Sequence, residues 1–267
     1  MPVRKRFGQH FLHDPGVIGR IVEAIAPQAG QRLLEIGPGR GALTFALLKV
    51  LPELEALEID RDLAAGLERD LRAAGKLRLH VADALQADFV ELRGGGARLR
   101  VVGNLPYNIS TPLLFRLIDQ RVAIEDVHVM LQKEVVERMT ARPGGKDYGR
   151  LGVMLAAYAR VERLFDVGPG AFQPPPRVWS SVARLRTSVT PLFEIGDAAA
   201  LRTVVTAAFS HRRKTLRNAL HGLLDPAAIE SCGIDPAIRP ALLEPAQFGR
   251  LAVRWRQANG AAASRTE

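Results

Sequence analysis

The chain has 267 residues, of which 47% are hydrophobic and 24% charged, a composition ordinary for a globular protein of one large or two unequal domains. No apolar run approaches the ~18 residues that a membrane-spanning helix needs, which excludes an integral membrane protein. A formal net charge of +9 favours a polyanionic partner such as nucleic acid, with a codon bias toward arginine as the alternative explanation.

The N-terminal segment and the cysteine content indicate the compartment. Residues 1–10 lack the apolar stretch and the small-residue cleavage site of a secretory signal. Cys232, the single cysteine, excludes an intramolecular disulfide and a cysteine-cluster zinc site, and we expect it to be a buried, inert thiol. The sequence therefore predicts a soluble, cytoplasmic protein.

The first elements follow a basic N-terminal arm. Asp14 and Pro15 predict the N-cap and the first residue of a helix that ends near Ala26. Short apolar runs predict strands at 32–36, 54–59, 77–81, 99–102, 127–131, 161–167 and 180–186. Helical patterns lie at 41–51, after Asp60, and at 112–120, 133–139 and 151–159. This alternation predicts an α/β protein with a mostly parallel sheet that helices cover on both faces.

The pattern changes after the proline-rich segment 173–177 and the last strand-like run. Only helical patterns follow, at 198–210, 212–224, 236–243 and 246–258. We therefore place a boundary near Pro191 and predict a larger cofactor-binding domain at 1–190. A small all-helical domain is predicted at 191–267.

A glycine-rich turn follows the first strand of the sheet. Gly37, Gly39 and Gly41 lie where missing side chains let the backbone approach a nucleotide-like ligand at the carboxyl edge of the strands. The spacing of Gly37, Gly39 and Ala42 also fits the loose dinucleotide fingerprint. A nicotinamide dehydrogenase and a methyltransferase both remain open on this evidence.

Two acidic residues end the next two strands. The carboxylate of Glu58 can accept hydrogen bonds from both hydroxyls of a ribose, while Asp60 is the better candidate for the cap of the following helix. Asp83 can accept from the amine of an adenine, or it is a simple turn residue. Both acids are predicted to bind the cofactor.

The segment Asn104, Leu105, Pro106 and Tyr107 follows the strand at 99–102 and is predicted to lie on the same sheet edge. An exocyclic adenine amine is a poor nucleophile because its lone pair is delocalised into the ring. The side-chain oxygen of Asn104 and the carbonyl of Leu105 can accept its hydrogens, and Pro106 restricts the turn. Tyr107 can stack on the base. The alternative is a proline turn with a packed tyrosine.

A second aromatic residue, Phe172, precedes the three consecutive prolines at 174–176. It could close the opposite face of an adenine extruded from its stack. A core phenylalanine beside a loop is the competing interpretation.

With these residues in hand, the chain resembles the bacterial small-subunit (16S) ribosomal RNA adenine dimethyltransferase family along nearly its whole length. The matching segments are 4–12 (RKRFGQHFL), 35–39 (EIGPG), 103–110 (GNLPYNIS), 131–134 (LQKE), 148–151 (YGRL), 172–176 (FQPPP) and 211–217 (HRRKTLR). The resemblance implies a class I, Rossmann-like methyltransferase fold with a helical C-terminal domain. It also implies N6,N6-dimethylation of two adjacent adenosines in a hairpin loop near the 3' end of 16S rRNA, late in small-subunit biogenesis.

The resemblance implies S-adenosylmethionine as cofactor, S-adenosylhomocysteine as product, and no metal. The residues it places at the cofactor are Gln9, His10, Leu12, Gly37, Gly39, Glu58, Ile59, Asp83, Ala84 and Asn104. His10 departs from the asparagine that is commoner in the family, so the resemblance implies a backbone contact here but no side-chain amide contact.

The implied partner is 16S rRNA within the small (30S) ribosomal subunit, with the protein acting as a monomer and away from membranes. Bases of an unpaired loop can be splayed out and stacked, whereas duplex RNA hides their edges. We predict that phosphates are bound by four basic residues, Arg212, Arg213, Lys214 and Arg217. The alternative is that these residues form a solvated helix face.

Three other functions compete with this reading. A large-subunit RNA adenine methyltransferase would share the glycine turn and the Asn-Leu-Pro-Tyr segment, but the C-terminal motifs favour the small-subunit enzyme. A non-catalytic RNA-binding assembly factor is opposed by intact Glu58, Asp83, Asn104 and Tyr107. A nicotinamide dehydrogenase lacks an evident acid/base partner.

Overall fold

The computed structural model describes residues 10–71 and 75–263. Nine strands are described, and they are β1 (Phe11–Leu12), β2 (Arg32–Ile36), β3 (Leu54–Glu58), β4 (Leu77–Val81), β5 (Leu99–Asn104), β6 (Ile124–Gln132), β7 (Ala159–Val167), β8 (Phe172–Gln173) and β9 (Ser180–Thr187). All seven predicted strands are confirmed. The two-residue strands β1 and β8 were not predicted.

The described helices are α1 (Pro15–Ile25), α2 (Ala42–Leu47), α3 (Arg61–Leu71), α4 (Phe89–Arg93), α5 (Ser110–Asp119), α6 (Lys133–Thr140), α7 (Arg150–Ala156), α8 (Ala198–Ser210), α9 (Leu216–Ala219), α10 (Pro226–Ser231) and α11 (Pro245–Ala263). Short 3-10 helices lie at Arg121–Ala123, Pro169–Ala171 and Pro240–Leu242. Within the described parts of the chain, no helix is both long and apolar enough to cross a membrane.

The helix starts obey the predicted capping. Asp14 accepts a hydrogen bond from the backbone N–H of Val17 at 2.9 Å, with Pro15 as the first helical residue. Asp60 accepts from the N–H of Asp62 at 2.9 Å and so caps α3. The cap predicted at each of these two positions is therefore confirmed.

Seven strands form one sheet in the order β4-β3-β2-β5-β6-β9-β7. β2 pairs in parallel with both β3 and β5, β3 with β4, and β5 with β6, whereas β9 is antiparallel to β6. The central strands β2 and β5 are buried along almost their whole length, as in a sheet covered on both faces. The prediction of an α/β fold with a mostly parallel sheet is confirmed.

The sheet order reverses between β2 and β5, and this reversal positions the site. Chain segments that leave the two strands diverge there and open a crevice beyond their carboxyl ends, where ligands of α/β proteins bind. The loops after β2, β3, β4 and β5 all begin at this edge. The glycine turn and Asp83 lie in these loops, and Glu58 and Asn104 are the last residues of β3 and β5.

The chain divides into two compact units, one of Met1–Val136 with Val161–Thr187 and one of Glu137–Arg160 with Ser188–Glu267. The second unit thus includes α7 as well as the C-terminal helices, where α7 packs against α8. These boundaries differ from the predicted 190/191 division, because a helix recruited from earlier in the chain leaves no local signal. The separate functions assigned to 1–190 and 191–267 stay predictions.

Two C-terminal helices were predicted wrongly. The 236–243 pattern forms only the 3-10 turn Pro240–Leu242, since Pro240 cannot donate an amide hydrogen inside a helix. The 212–224 pattern contracts to α9, and Gly222 follows it with a φ of +84°. Cys232 is half-buried rather than buried, its Sγ lies 3.4 Å from the carbonyl oxygen of Ala228, and burial raises its pKa.

Candidate cofactor and substrate site

A cavity of about 310 Å³ lies at the carboxyl edge of β2, β3, β4 and β5. The predicted site residues in its lining are His10, Leu12, Gly37, Gly39, Glu58, Ile59, Asp83, Ala84, Asn104, Leu105, Pro106 and Tyr107. Gln9 lies outside the described residues. The fold therefore brings together residues from five chain segments that span almost 100 positions in sequence.

The glycine turn forms the wall of the cavity after β2. Gly37, Gly39 and Gly41 have φ values of +69°, +59° and +82°, which L-residues with side chains rarely adopt. The ring of Phe11 packs against the turn. A Cβ added to Gly39 would lie only 3.2 Å from Cδ1 of the Phe11 ring. The guanidinium of Arg40 lies 4.4 Å from the centre of the same ring. Phe11 belongs to the segment 9–12 that the family resemblance places at the cofactor, whereas Arg40 was not singled out from the sequence.

Glu58 is buried at the end of β3, and backbone donors hold both of its carboxylate oxygens. Oε2 accepts from the N–H of Gly39 at 3.0 Å, and Oε1 accepts from the N–H of Asp60 at 2.9 Å. Burial raises the pKa of Glu58, and these backbone hydrogen bonds oppose the rise. A carboxylate has about four acceptor positions, so two hydrogen bonds leave capacity for hydroxyl groups of a ligand.

Glu35 is a second buried carboxyl in the lining, and it was not singled out as a site residue from the sequence. Its side chain is 2% exposed and accepts a 2.6 Å hydrogen bond from the hydroxyl of Thr44. Burial raises its pKa to about 7, the Thr44 hydrogen bond opposes the rise, and the nearby charge of Glu58 adds to it. The cavity thus has two acids with different tendencies to hold a proton.

Asp83 occupies a turn after β4 and also lines the cavity. Its Oδ1 accepts from the N–H of Leu85 at 2.9 Å, and its backbone carbonyl accepts from Gln86 at 2.9 Å. Asp83 can therefore form the turn and also bind a ligand, because the turn uses only one of its two carboxylate oxygens.

Asn104 is the last residue of β5, and its amide has a defined orientation. Nδ2 donates to the backbone carbonyl of His10 at 3.0 Å, so Oδ1 is left as the acceptor. The preceding residue, Gly103, allows β5 to approach β2 closely. A Cβ at this position would lie only 2.4 Å from the carbonyl oxygen of Ile36. The close approach of β5 to β2 was not evident from the sequence.

Tyr107 is anchored at its hydroxyl, while its ring contributes to the cavity. The hydroxyl lies 2.8 Å from Oγ of Ser180, and partial burial raises the pKa of Tyr107. The His10 ring is 5.7 Å from the Tyr107 ring, and its Nδ1 lies 2.8 Å from the carbonyl oxygen of Pro174. Ser180 was missed as a partner, since 73 residues separate it from Tyr107.

Phe172 lies elsewhere than expected for a base-stacking residue. It is 2% exposed, pairs with Leu12 in the antiparallel β1–β8 sheet, and belongs to the hydrophobic core. The cavity lining does not include it. The observed position matches the competing core interpretation, and its role toward substrate stays a prediction.

The predicted phosphate-gripping residues belong to the second unit, three of them on the turn between α8 and α9 and Arg217 within α9. Arg212, Arg213, Lys214 and Arg217 are all exposed. Arg212 donates to the carbonyl oxygens of Gly145 at 3.1 Å and Lys146 at 2.5 Å, which ties the turn to an earlier loop of the same unit. Three of the four cations therefore lie on a turn and do not form the solvated helix face that was the alternative prediction.

Comparisons with solved structures agree with this architecture. A dimethyladenosine transferase from Plasmodium falciparum superposes with a TM-score of 0.80 at 24% identity, covering 94% of this chain and 98% of that one. The 23S rRNA methyltransferase ErmE superposes with a TM-score of 0.70 at 28% identity, covering 92% of this chain and all of that one. The class I methyltransferase fold is therefore confirmed.

Sequence comparisons define the family. "Ribosomal RNA small subunit methyltransferase A" of Nitrosococcus oceani is 55% identical over 96% of this chain and 97% of its own length. The protein of that name from Pseudomonas aeruginosa is 54% identical, covering 93% of each chain. The family model described as ribosomal RNA adenine dimethylase matches residues 2–255. With the cavity, the carboxylates and the Asn104 segment all in place, the chain belongs to the ribosomal RNA adenine dimethylase family.

Proposed function

We propose that this protein transfers methyl groups from S-adenosylmethionine to the N6 amines of two adjacent adenosines in a hairpin loop near the 3' end of 16S rRNA. The observation that carries the proposal is the oriented amide of Asn104, whose Oδ1 is left as an acceptor at the cavity. The high identity to small-subunit methyltransferases from two bacteria favours the small-subunit substrate.

The residues present fit the proposed cofactor. The glycine turn leaves room for backbone approach, Glu58 retains acceptor capacity for ribose hydroxyls, and Asp83 has a carboxylate oxygen beyond its turn bond. When bound, S-adenosylmethionine supplies an electrophilic methyl group. His10 would contribute through its backbone and ring, in place of the side-chain amide that the family more often has at this position.

The chain's own groups would act on the adenine amine. Oδ1 of Asn104 and the backbone carbonyl of Leu105 accept its two hydrogens, which favours a pyramidal nitrogen with an available lone pair. The ring of Tyr107 stacks on the base, and Ser180 holds the hydroxyl of Tyr107 by a hydrogen bond. Acceptors placed where positive charge develops, together with orientation of the two reactants, would provide most of the rate enhancement.

The proposal also includes the substrate particle, the compartment, the oligomeric state and the contacts with RNA. The substrate would be the rRNA of the small subunit late in its assembly, the protein would act as a cytoplasmic monomer, and the basic turn at 212–217 would contact phosphates. Exposure of Arg213, Lys214 and Arg217 supports the last point.

The test is methyl transfer from radiolabelled S-adenosylmethionine to undermethylated small ribosomal subunits, with the modified nucleoside identified and its position mapped. We expect N6,N6-dimethyladenosine in a hairpin loop near the 3' end of 16S rRNA. Asn104→Ala should lower kcat by roughly 10²- to 10³-fold, the usual loss when one oriented polar group is removed from a transition state.

Asn259→Ala is the matched control, because Asn259 is an exposed asparagine near the end of α11 whose side chain donates to Trp255. It should leave turnover unchanged. Methyl incorporation only into large-subunit RNA would replace the proposed substrate. Incorporation into neither subunit would favour the non-catalytic assembly factor.

A further inference from the structure

Trp179 is an exposed aromatic residue at the same sheet edge as the cavity. Its side chain is 54% exposed, although large apolar side chains are normally buried. Its backbone carbonyl accepts from the N–H of Lys133 at 2.9 Å, which continues the β6–β9 ladder one residue past the Gln132–Ser180 pair. The residue is therefore held firmly by its backbone at the carboxyl end of β6.

The neighbour of Trp179 in sequence is part of the site already described. Ser180 holds the hydroxyl of Tyr107 through a 2.8 Å hydrogen bond. Trp179 consequently lies one residue from the group that anchors the predicted base-stacking tyrosine. A ligand that extends from the cavity along this edge would meet the Trp179 side chain.

The surroundings of the ring are positively charged. Nζ of Lys133 lies 6.0 Å from the centre of the indole and 3.0 Å from Oδ2 of Asp166. Asp166 also pairs with Arg163 and accepts from Ser181 at 2.6 Å. Two cations thus share one carboxylate, and the group keeps a net positive charge beside the ring.

The indole is supported on one side. A Cβ built on Gly168 would lie 3.6 Å from Cη2 and 3.7 Å from Cζ3 of Trp179, so the ring lies beside the Gly168 backbone. More than half of the side chain nevertheless remains open to solvent. A supported ring with open surface, next to excess positive charge, has the features of a stacking platform for a single-stranded nucleotide.

We propose that Trp179 stacks on a nucleotide next to the target adenosine, with Lys133 and Arg163 favouring its phosphate. This inference rests on the proposed function and adds a substrate-positioning residue to it. An apolar protein partner is the competing occupant. The paired cations beside a single exposed ring favour RNA over an apolar protein surface.

The first experiment measures KM and kcat for small subunits in three variants at Trp179. Trp179→Ala should raise KM about tenfold, equivalent to ~1.4 kcal/mol, with kcat at saturation close to that of the wild type. Trp179→Phe keeps a stacking ring and should recover most of the loss. Trp179→Leu keeps apolar surface without the ring and should behave like the alanine variant.

Val122→Ala provides the matched surface control. Val122 is 42% exposed and precedes β6, at the opposite edge of the sheet. An unchanged KM in Trp179→Ala overturns the inference, and so does a leucine variant as good as phenylalanine, which would indicate an apolar protein contact. If the wild type itself transfers no methyl group, the proposed function fails instead.

The second experiment observes the ring directly and needs no turnover. The chain has two tryptophans, so Trp255→Phe leaves Trp179 as the only indole. An RNA hairpin with two adjacent loop adenosines should quench the emission of this variant. The Trp179→Phe protein, which retains Trp255, should show no quenching. Absence of quenching in the Trp255→Phe protein contradicts stacking on RNA.

Discussion

Two buried carboxyl groups, Glu35 and Glu58, line the same cavity and differ in their partners. Glu58 accepts from two backbone N–H groups, whereas the side chain of Glu35 accepts from the Thr44 hydroxyl. Hydrogen bonds to a carboxylate stabilise its charge and offset the cost of burial. Burial raises the pKa of Glu35 to about 7, and the Thr44 hydrogen bond only partly offsets that rise.

Glu35→Gln should therefore stabilise the cofactor-free protein at alkaline pH. The pKa of Glu35 is about 7 in the folded protein against a usual 4.5, so the folded protein holds a proton that the unfolded chain releases between these values. The free energy of unfolding consequently falls as the pH rises from 4.5 through 7, by ~3 kcal/mol in all. Glutamine keeps an acceptor for Thr44 and removes this loss. Denaturant unfolding at pH 4.5, 6 and 8 measures the difference.

The exposed Glu53 supplies the control for this experiment. Glu53→Gln should leave the pH dependence of unfolding as it is in the wild type. A Glu35→Gln protein whose stability advantage is the same at pH 4.5 and pH 8 would show that the Glu35 charge is not the cause.

At the scale of residues, position relative to strand ends decided what the sequence could predict. Glu58, Asp83 and Asn104 each end or follow an apolar run, so their shared edge follows from a parallel sheet. The hydrogen bond between Tyr107 and Ser180 depends on tertiary pairing of distant segments and has no local signature. Phe172 belongs to the hydrophobic core, a placement that depends on tertiary packing, and its role toward substrate stays a prediction.

At the scale of elements, the contact between β2 and β5 depends on a missing side chain. Gly103 lies in the middle of the sheet, with the carbonyl oxygen of Ile36 opposite its Cα. Both strands are central and paired on each side, so neither can move away to admit a methyl group.

Gly103→Ala should accordingly destabilise the protein by ~3 kcal/mol or more, the upper range for overpacking a core, and should lower methyl transfer by displacing Asn104. Thermal and denaturant unfolding measure the first effect. Gly66→Ala is the matched control, since Gly66 lies within α3 and a Cβ there has no neighbour within 4 Å among the described residues. It should stabilise by ~0.5–1 kcal/mol, because alanine favours helix over glycine. Equal effects of the two substitutions would refute the steric argument.

Elements were predictable where periodicity extended over several residues. The seven sheet strands have five to nine residues each, and α8 and α11 extend over three turns or more. β1 and β8 have two residues each and cannot show a period. The pattern at 236–243 had apolar residues at helical spacing, yet Pro240 determined the backbone, so a local steric rule outweighed the hydrophobic one.

At the scale of the whole molecule, the excess positive charge is expected to act through counterion release. Each contact between a cation and a phosphate of single-stranded RNA contributes ~0.7 to the slope of log affinity against log salt concentration. The exposed residues Arg213, Lys214 and Arg217 are the candidates for such contacts in the second unit.

Replacing Arg213, Lys214 and Arg217 together by glutamine should lower the magnitude of this slope by about 2 for small-subunit binding. Arg212 is left in place because it bonds to Gly145 and Lys146. The control replaces Arg69, Lys76 and Arg186, which are also exposed and lie in the first unit. Binding titrations between 50 and 200 mM salt measure the slope, because phosphate contacts strongly affect the affinity in this range. The same slope in both triple variants would remove the basic turn from the interface.

The pairing of β1 with β8 fixes a wall of the cavity and the orientation of the Asn104 amide together. His10, Phe11 and Leu12 line the cavity, and the same short segment supplies the carbonyl that orients the Asn104 amide. When β1 separates from β8, the cavity loses a wall and Asn104 loses its partner at the same moment. One local displacement at β1 would therefore be enough both to open the cavity and to release the Asn104 amide from its fixed orientation.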